Sequence, residues 1–289
     1  MSANDGSSAF PVLYEEHALL GARFGRNLEV VTYAGGDIES ASEASFAGAT
    51  LCDVSFVHMS LLCGNASSAF VDAAFAGRSL SIGECAFEAV LTGDGCVASI
   101  PLLMRTGTYE YVVVDGSPRA EVLDGWMSFL SSVEQNGDAP FDGMTQEDVS
   151  QTHVALVLSG AGAKAILGDY TDEGSLPACG LVRSCNLDRI PCIVSGVPGI
   201  EVPTFLVLVP PRLATVLWRS LLSFTQVVPV GVEALGDGFK RWLPWIECLG
   251  EDGRILIHAK ELERNGLIRE SLDFVGARGL TNEGERSAT

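Results

Sequence analysis

The chain is poor in basic residues and has no long apolar run. Its 18 Lys and Arg stand against 37 Asp and Glu, a formal charge of −19 over 289 residues. That field repels a phosphate backbone, so nucleic acid is not an expected partner. Hydrophobic residues make up 47% of the chain and mean hydropathy is +0.27. Even so, no apolar stretch reaches the ~18 residues of a membrane span. The opening MSANDGSSAF has neither the basic region nor the apolar region of a secretory signal. The expectation is a cytoplasmic protein with no membrane partner.

Closely spaced metal ligands are missing as well. No CxxC occurs among Cys52, Cys63, Cys85, Cys96, Cys179, Cys185, Cys192 and Cys248, and His17, His58, His153 and His258 stand singly. Neither set has the spacing of a tetrahedral metal site, so none is expected. Reduced thiols buried as small hydrophobes are. No GxSxG or HExxH is present. The run Ser159–Lys164, SGAGAK, lies between a strand pattern and a helix pattern, yet fits neither phosphate-loop spacing. It reads as a tight strand-to-helix turn.

What is present is a succession of short periodic segments. Leu13–Phe24 has helical spacing, with Leu19, Leu20 and Phe24 on one side. Glu15, Glu16 and His17 then read as its solvated surface. Val54–Leu62 predicts a strand and Ala66–Ala76 a helix. Cys85–Leu91 and Cys96–Met104 flank the turn Gly93-Asp94-Gly95, which predicts a hairpin. Tyr109–Asp115 alternates as a strand. Ser117-Pro118 then starts a helix running to about Gln135. Asn136–Glu147 has no period and reads as a lobe boundary. Beyond it come a strand at Thr152–Ser159, a helix at Ala161–Gly168 and a loop at Thr171–Cys179. Strands at Cys192–Ser195 and Phe205–Val209 precede a helix, Pro211–Phe224, with Leu213, Val216, Leu217 and Leu221 in one stripe. Trp242 and Trp245 form an aromatic cluster suited to core or interface packing, or to stacking a planar ligand. Strands in adjacent pairs favour an α+β fold with antiparallel sheet over a doubly wound parallel sheet. Residues 1–12 and 281–289 read as polar tails around one structured region, 13–280.

Five segments in order carry a family likeness. They are LYEEHALLGAR (Leu13–Arg23), LCDVSFVHMSLLCG (Leu51–Gly64), LTGDGCV (Leu91–Val97), VALVLSGAGAKA (Val154–Ala165) and LDFVGARGL (Leu272–Leu280). The succession resembles the aminomethyltransferase (T-protein) family of the glycine cleavage system, which moves one-carbon units onto tetrahydrofolate. The likeness runs from Leu13 to Leu280. It implies two interleaved α+β lobes around a central cleft, without the C-terminal barrel that follows in the family. It also implies tetrahydrofolate as cofactor. The barrel covers part of the lobes in the family, so a protein partner or a second copy is expected over the bare surface. The helix Leu213–Leu222 and the cluster Trp242–Trp245 are the first places to look.

The family's chemical residues are largely replaced. Its paired carboxylates follow the hairpin turn, and the aspartate assists attack by the folate nitrogen; those positions here read Ser99-Ile100. Its tyrosine before the turn resembles Phe87, which keeps the ring and loses the hydroxyl. Its Gly-Tyr-Thr-Gly-Glu segment looks like Gly196–Glu201, with Glu201 shifted by one place. Its Gly-Ala-Arg-Asp run loses the arginine, leaving Arg241 downstream as the cation. The folate-pocket candidates are therefore Phe87, Ser99, Glu201 and Arg241. Three functions follow from the resemblance: tetrahydrofolate-linked one-carbon transfer with a rebuilt site, a non-catalytic subunit like the gamma subunit of heterotetrameric sarcosine oxidase, or a regulatory folate-binding module. The lost carboxylate favours the last two.

Overall fold

The computed structural model describes residues 10–26, 28–34, 47–134, 137–171, 174, 176–200, 202–233, 248–251 and 253–280. Glu201, Arg241, the Trp242–Trp245 cluster and the closing tail lie outside them.

Two sheets dominate. The first has the order β10 (Thr145–Asp148), β4 (His58–Cys63), β9 (Glu110–Asp115), β8 (Leu102–Gly107), β5 (Cys85–Phe87), with every neighbour antiparallel. The second has the order β12 (Val182–Leu187), β13 (Ile190–Gly196), β14 (Thr204–Val209), β11 (Val154–Ser159), β3 (Ala49–Asp53), β15 (Val227–Pro229). Only the last pair of that sheet is parallel. The chain crosses between them twice, from β3 of the second sheet into β4 of the first and from β10 of the first back into β11 of the second. Two short ribbons, β1 (Ala22–Phe24) with β2 (Val30–Tyr33) and β6 (Val90–Leu91) with β7 (Val97–Ser99), complete the strands.

The layering follows from strand alternation. Successive side chains on β11 point to opposite faces. Leu156 and Leu158 meet a cluster with Leu217 and Trp218 of helix α5 (Pro211–Leu222) and Ile166 of α4 (Ala163–Gly168). Ala155 and Val157 face the first sheet, against Met59, Met104 and Val114. The far face of that sheet packs Leu103 and Val113 on Phe70 of α2 (Ser67–Ala74) and Leu123 and Met127 of α3 (Ala120–Ser131). Helices thus cover the outside of both sheets. A last apolar cluster joins Leu91, Val97 and Ile100 to Ile255, to Leu262 on α6 (Ala259–Arg264), and to Phe274 and Leu280.

Several expected elements differ. The first helix, α1, covers only Tyr14–Leu19. Gly21 turns the chain at φ 74°, and Phe24 lies on β1. Leu19 is 80% exposed and Leu20 41%; Leu13 and His17 face inward instead, one helical turn apart. Val54–Leu62 is not one strand, because the segment after Asp53 turns and β4 starts at His58. The hairpin about Gly93–Gly95 forms in two stages, β6 with β7 and then β5 with β8. The α3 helix ends at Ser131, short of Gln135. Thr145–Glu147, read as loop, begins the edge strand β10, whose polar sequence carries no alternation.

Candidate functional site

The hairpin turn after which the resemblance places the family's acid is built locally. Asp94 Oδ1 accepts the Thr92 hydroxyl at 2.5 Å. Gly95 sits at φ 89°, and a Cβ there would fall 2.7 Å from the carbonyl carbon of Gly279. Glycine is the residue that meets both demands. The turn delivers β7 with Ser99 near its end.

Ser99 is fully buried, and its hydroxyl donates to Asp115 Oδ2 at 2.5 Å. Ser117 Oγ lies 3.0 Å from the same hydroxyl. Asp115 Oδ1 accepts the Ser117 N–H at 2.9 Å. Burial pushes the Asp115 carboxyl up, and the bonds from Ser99 and Ser117 draw it part of the way back. A carboxyl group therefore does stand beside the position where the resemblance expects one. It comes from β9 instead of β7, and it is sealed from solvent. His58, the register partner of Asp115 on β4, opens a second polar group. Its Nε2 lies 3.1 Å from Asp124 Oδ1 and 3.1 Å from Ser60 Oγ. Ser60 and Gln146 both donate to Asp124, at 2.9 and 2.6 Å. Ser150 Oγ accepts the Met59 N–H at 2.9 Å and lies 3.5 Å from His58 Nδ1. These residues can hold and pass protons at one end of the first sheet.

Ile100, beside Ser99, is packed in the cluster beneath the C-terminal segment. Phe87 is half-buried between that cluster and the inter-sheet core. Next to it, Glu88 is buried, and its Oε1 has no hydrogen-bond partner among the described residues. Burial pushes its carboxyl up to about 8, against the pull of Arg269 and Arg78. Arg269 locks the C-terminal segment down. Its Nη1 donates to the carbonyls of Phe75 and Gly77 at 2.7 and 2.9 Å, and its Nε donates to Asp273.

A third buried group escaped the sequence. His17, read as surface, is inside. Its Nε2 lies 2.8 Å from Asp53 Oδ2, and the Tyr33 hydroxyl lies 2.8 Å from its Nδ1. Asp53 Oδ1 accepts the Ser55 N–H at 2.9 Å and the Ser55 hydroxyl at 2.5 Å. The Trp218 ring stands edge-on to the imidazole at 4.9 Å between centroids. Burial pushes the Tyr33 hydroxyl far above its usual range. The network ties α1, β2 and β3 together. Its neighbour Glu16 is half-buried, in a bidentate pair with Arg219 at 2.6 and 2.8 Å. The recurring Asp-x-Ser string at 53, 115 and 148 was the available signal; each Asp accepts the Ser N–H two residues on.

The GCVT N-terminal domain profile matches residues 11–237. The chain belongs to that family. Among solved structures it is similar to the glycine cleavage system aminomethyltransferase T from Bartonella henselae. The TM-score is 0.77 at 19% identity, over 95% of this chain and 74% of that one. It is also similar, at a TM-score of 0.45 and 17% identity, to the heterotetrameric sarcosine oxidase from Corynebacterium sp. U-96 in complex with pyrrole 2-carboxylate. That match covers 64% of this chain and 89% of the other. No curated protein matches the chain in sequence. The first likeness establishes the GCVT fold, α+β with antiparallel sheets.

The family implies tetrahydrofolate, and the described residues fit it in part. Phe87 offers a half-buried ring for stacking against a planar heterocycle. The polar positions do not fit: Ser99 is committed to Asp115, and Ile100 offers no donor or acceptor. Among the described residues no cluster of His, Cys, Asp and Glu is arranged for a metal ion. None of their helices is long and apolar enough to cross a membrane.

Proposed function

We propose that this protein is a cytoplasmic, tetrahydrofolate-linked member of one-carbon metabolism that keeps the family's binding frame without its aminomethyl-transfer step. Tetrahydrofolate supplies the nitrogen that takes up the one-carbon unit. Phe87 would stack on its ring. One observation carries the loss of transfer. Ser99 and Ile100, where the family has its carboxylates, are 0% and 2% exposed and filled by a hydroxyl-to-carboxyl bond and apolar packing. A positioned acid or base contributes ~10²–10⁴-fold to such a step. Neither residue can act as one.

Two measurements test the two halves separately. Calorimetric titration with tetrahydrofolate should give a binding heat. Folate-dependent ammonia release from an aminomethyl-lipoyl carrier should stay at background. No heat removes the folate reading; turnover like that of a working T-protein removes the loss of transfer.

A second reading, a non-catalytic subunit of a larger assembly, is favoured by a separate observation. Leu19 and Leu20 at the end of α1 and Val216 on α5 are exposed apolar side chains, on two helices joined by the Glu16–Arg219 pair. Light scattering of the purified protein, alone and with co-purifying material, tests it. A monomer that retains no partner counts against it.

A further inference from the structure

The edge of the second sheet carries two thiols opposite one another. The β12 and β13 strands are joined by Asp188-Arg189, with φ of 46° and 68°. Positive φ at both positions is the two-residue type I′ turn, which sets the register of a hairpin without ambiguity. Leu187 faces Ile190, Asn186 faces Pro191, and Cys185 faces Cys192. Pairs alternate between hydrogen-bonded and non-hydrogen-bonded up such a ladder. Pro191 lacks an N–H and suits the non-bonded place, which puts the two cysteines in the bonded one. Their Cα atoms then stand ~5.5 Å apart, inside the ~4.4–6.8 Å range that a disulfide spans. Both are reduced. Both are buried, at 7% and 4% exposure, and line a groove of about 260 Å³ together with His153 and Pro210. The groove lies at the β12 edge of the second sheet, whereas Phe87 is on β5 of the first sheet and Ser99 on β7 of the short ribbon.

We propose that Cys185 and Cys192 are a reversible two-electron thiol pair, oxidised to a cross-strand disulfide by a low-molecular-weight disulfide that enters through this groove. The Cys185 sulfur, as thiolate, attacks one sulfur of the reagent and expels the other as a thiolate. The Cys192 thiol gives up its proton and attacks Cys185, expelling the second reagent thiolate. The pair loses two electrons and two protons, and the reagent gains them as two thiols. Cys185 is the better first attacker. Burial raises both thiols, but Arg183 draws Cys185 back, whereas burial and its neighbour push Cys192 up to about 12. Directly opposed Cβ atoms sit ~4.5–5.5 Å apart and must close to ~3.5–4.5 Å in the bond. That strain makes the bond readily reducible, as regulatory disulfides are. Oxidation would tie β12, which pairs within its sheet only with β13, to its neighbour by a covalent link.

The test is thiol mapping of the intact, full-length chain in glutathione buffers of rising disulfide content. The free-thiol count should fall by two from the eight in the sequence. One linkage should be found by peptide mass, Cys185–Cys192, and reduced glutathione should reverse it. Cys192→Ala should leave the mixed disulfide standing at Cys185, raised at least ~10-fold over the wild type, because the resolving thiol is gone. Phenylarsine oxide bridges paired thiols and gives a readout that needs no variant. The wild type should retain it against a monothiol and release it to a dithiol. A linkage elsewhere, such as Cys85–Cys179, overturns the proposal. So does a mixed disulfide that persists at Cys185 in the wild type, or failure to hold the arsenical.

Discussion

Asp53 and Asp115 occupy the same local turn in the two sheets and have different fates. In each, one carboxylate oxygen accepts the N–H of the serine two residues on, at 2.9 Å. The second oxygen is decided elsewhere in the chain. At Asp53 it meets the imidazole of His17, brought by α1; at Asp115 it meets the hydroxyl of Ser99, brought by β7. Asp148 repeats the turn a third time near the surface. There the bonds to Ser150 win and hold the carboxyl below its usual range. At Asp115 burial wins and raises it. A short motif therefore fixes how a carboxylate is held, and tertiary partners decide its charge.

The largest effect expected comes from taking away the imidazole partner. His17→Ala leaves Asp53 buried without its imidazole and Tyr33 without its acceptor. Removing one member of a buried pair costs about 3–5 kcal/mol, because its partner is left buried and uncompensated. Urea unfolding at neutral pH measures it. A cost below ~1 kcal/mol, in the range of a surface pair, would break the contrast between the two turns.

Glu88 sharpens the contrast from the other side, as a buried carboxyl with no such turn. Its folded-state pKa is raised to about 8. Its contribution is therefore fully present below the ordinary glutamate range and is lost as pH rises through about 8. Glu88→Gln keeps the shape without the charge. The variant should match the wild type at acid pH and exceed it by about 2–4 kcal/mol above pH ~9, from the size of such a shift. Parallel wild-type and variant stability curves across that window would show that the buried oxygen is solvated.

These groups divide what was legible in the sequence from what was not. The hairpin about Gly93–Gly95, the helices after Ser117 and Pro210 and the strand expected at Thr152–Ser159 depend on nearest-neighbour chemistry and form at those places, the first of the helices ending at Ser131 and the strand beginning at Val154. Leu19 and Leu20 misled because apolar spacing was extended through Gly21, where the helix has already stopped. His17 was hidden for the same reason: on so short a helix the inward pair is Leu13 and His17, and a charged-looking run masks it. The polar strand β10 has no apolar face to betray it. The replacement that the resemblance implies at Ser99 and Ile100 is readable in the sequence, but the carboxyl behind Ser99 is not. Asp115 lies on another strand, and only pairing brings it there.

Restoring the family's acid should expose the same rule at intermediate cost. Ser99→Asp would set two carboxyls against each other where a hydroxyl now donates. One of them must then stay protonated. We expect a loss of about 1–3 kcal/mol at neutral pH from replacing a buried bond by a like-charge contact, recovered as the pH is lowered. Ammonia release should remain at background, since Ile100 still fills the neighbouring position. Stability unchanged between pH 5 and 8 would mean that Asp115 is not the partner of residue 99 in solution.

The smallest effect separates the motif from its partners. Ser150→Ala keeps the backbone N–H that Asp148 accepts. It removes the hydroxyl, the leading cause of the lowered Asp148 pKa, and it strips the Met59 N–H of its acceptor. The loss of one part-exposed hydrogen bond should cost about 0.5–1.5 kcal/mol. The carboxyl itself should titrate closer to its ordinary range. A depressed folded-state pKa gives stability that is present above the unfolded value and lost as pH falls through the folded one. In the variant that acid-side loss should therefore be smaller and be complete at a higher pH. Carboxyl titration by NMR reads the shift directly. If Asp148 titrates unchanged in Ser150→Ala, the backbone bond alone sets it, and the hydroxyl at the third position serves β4 through Met59.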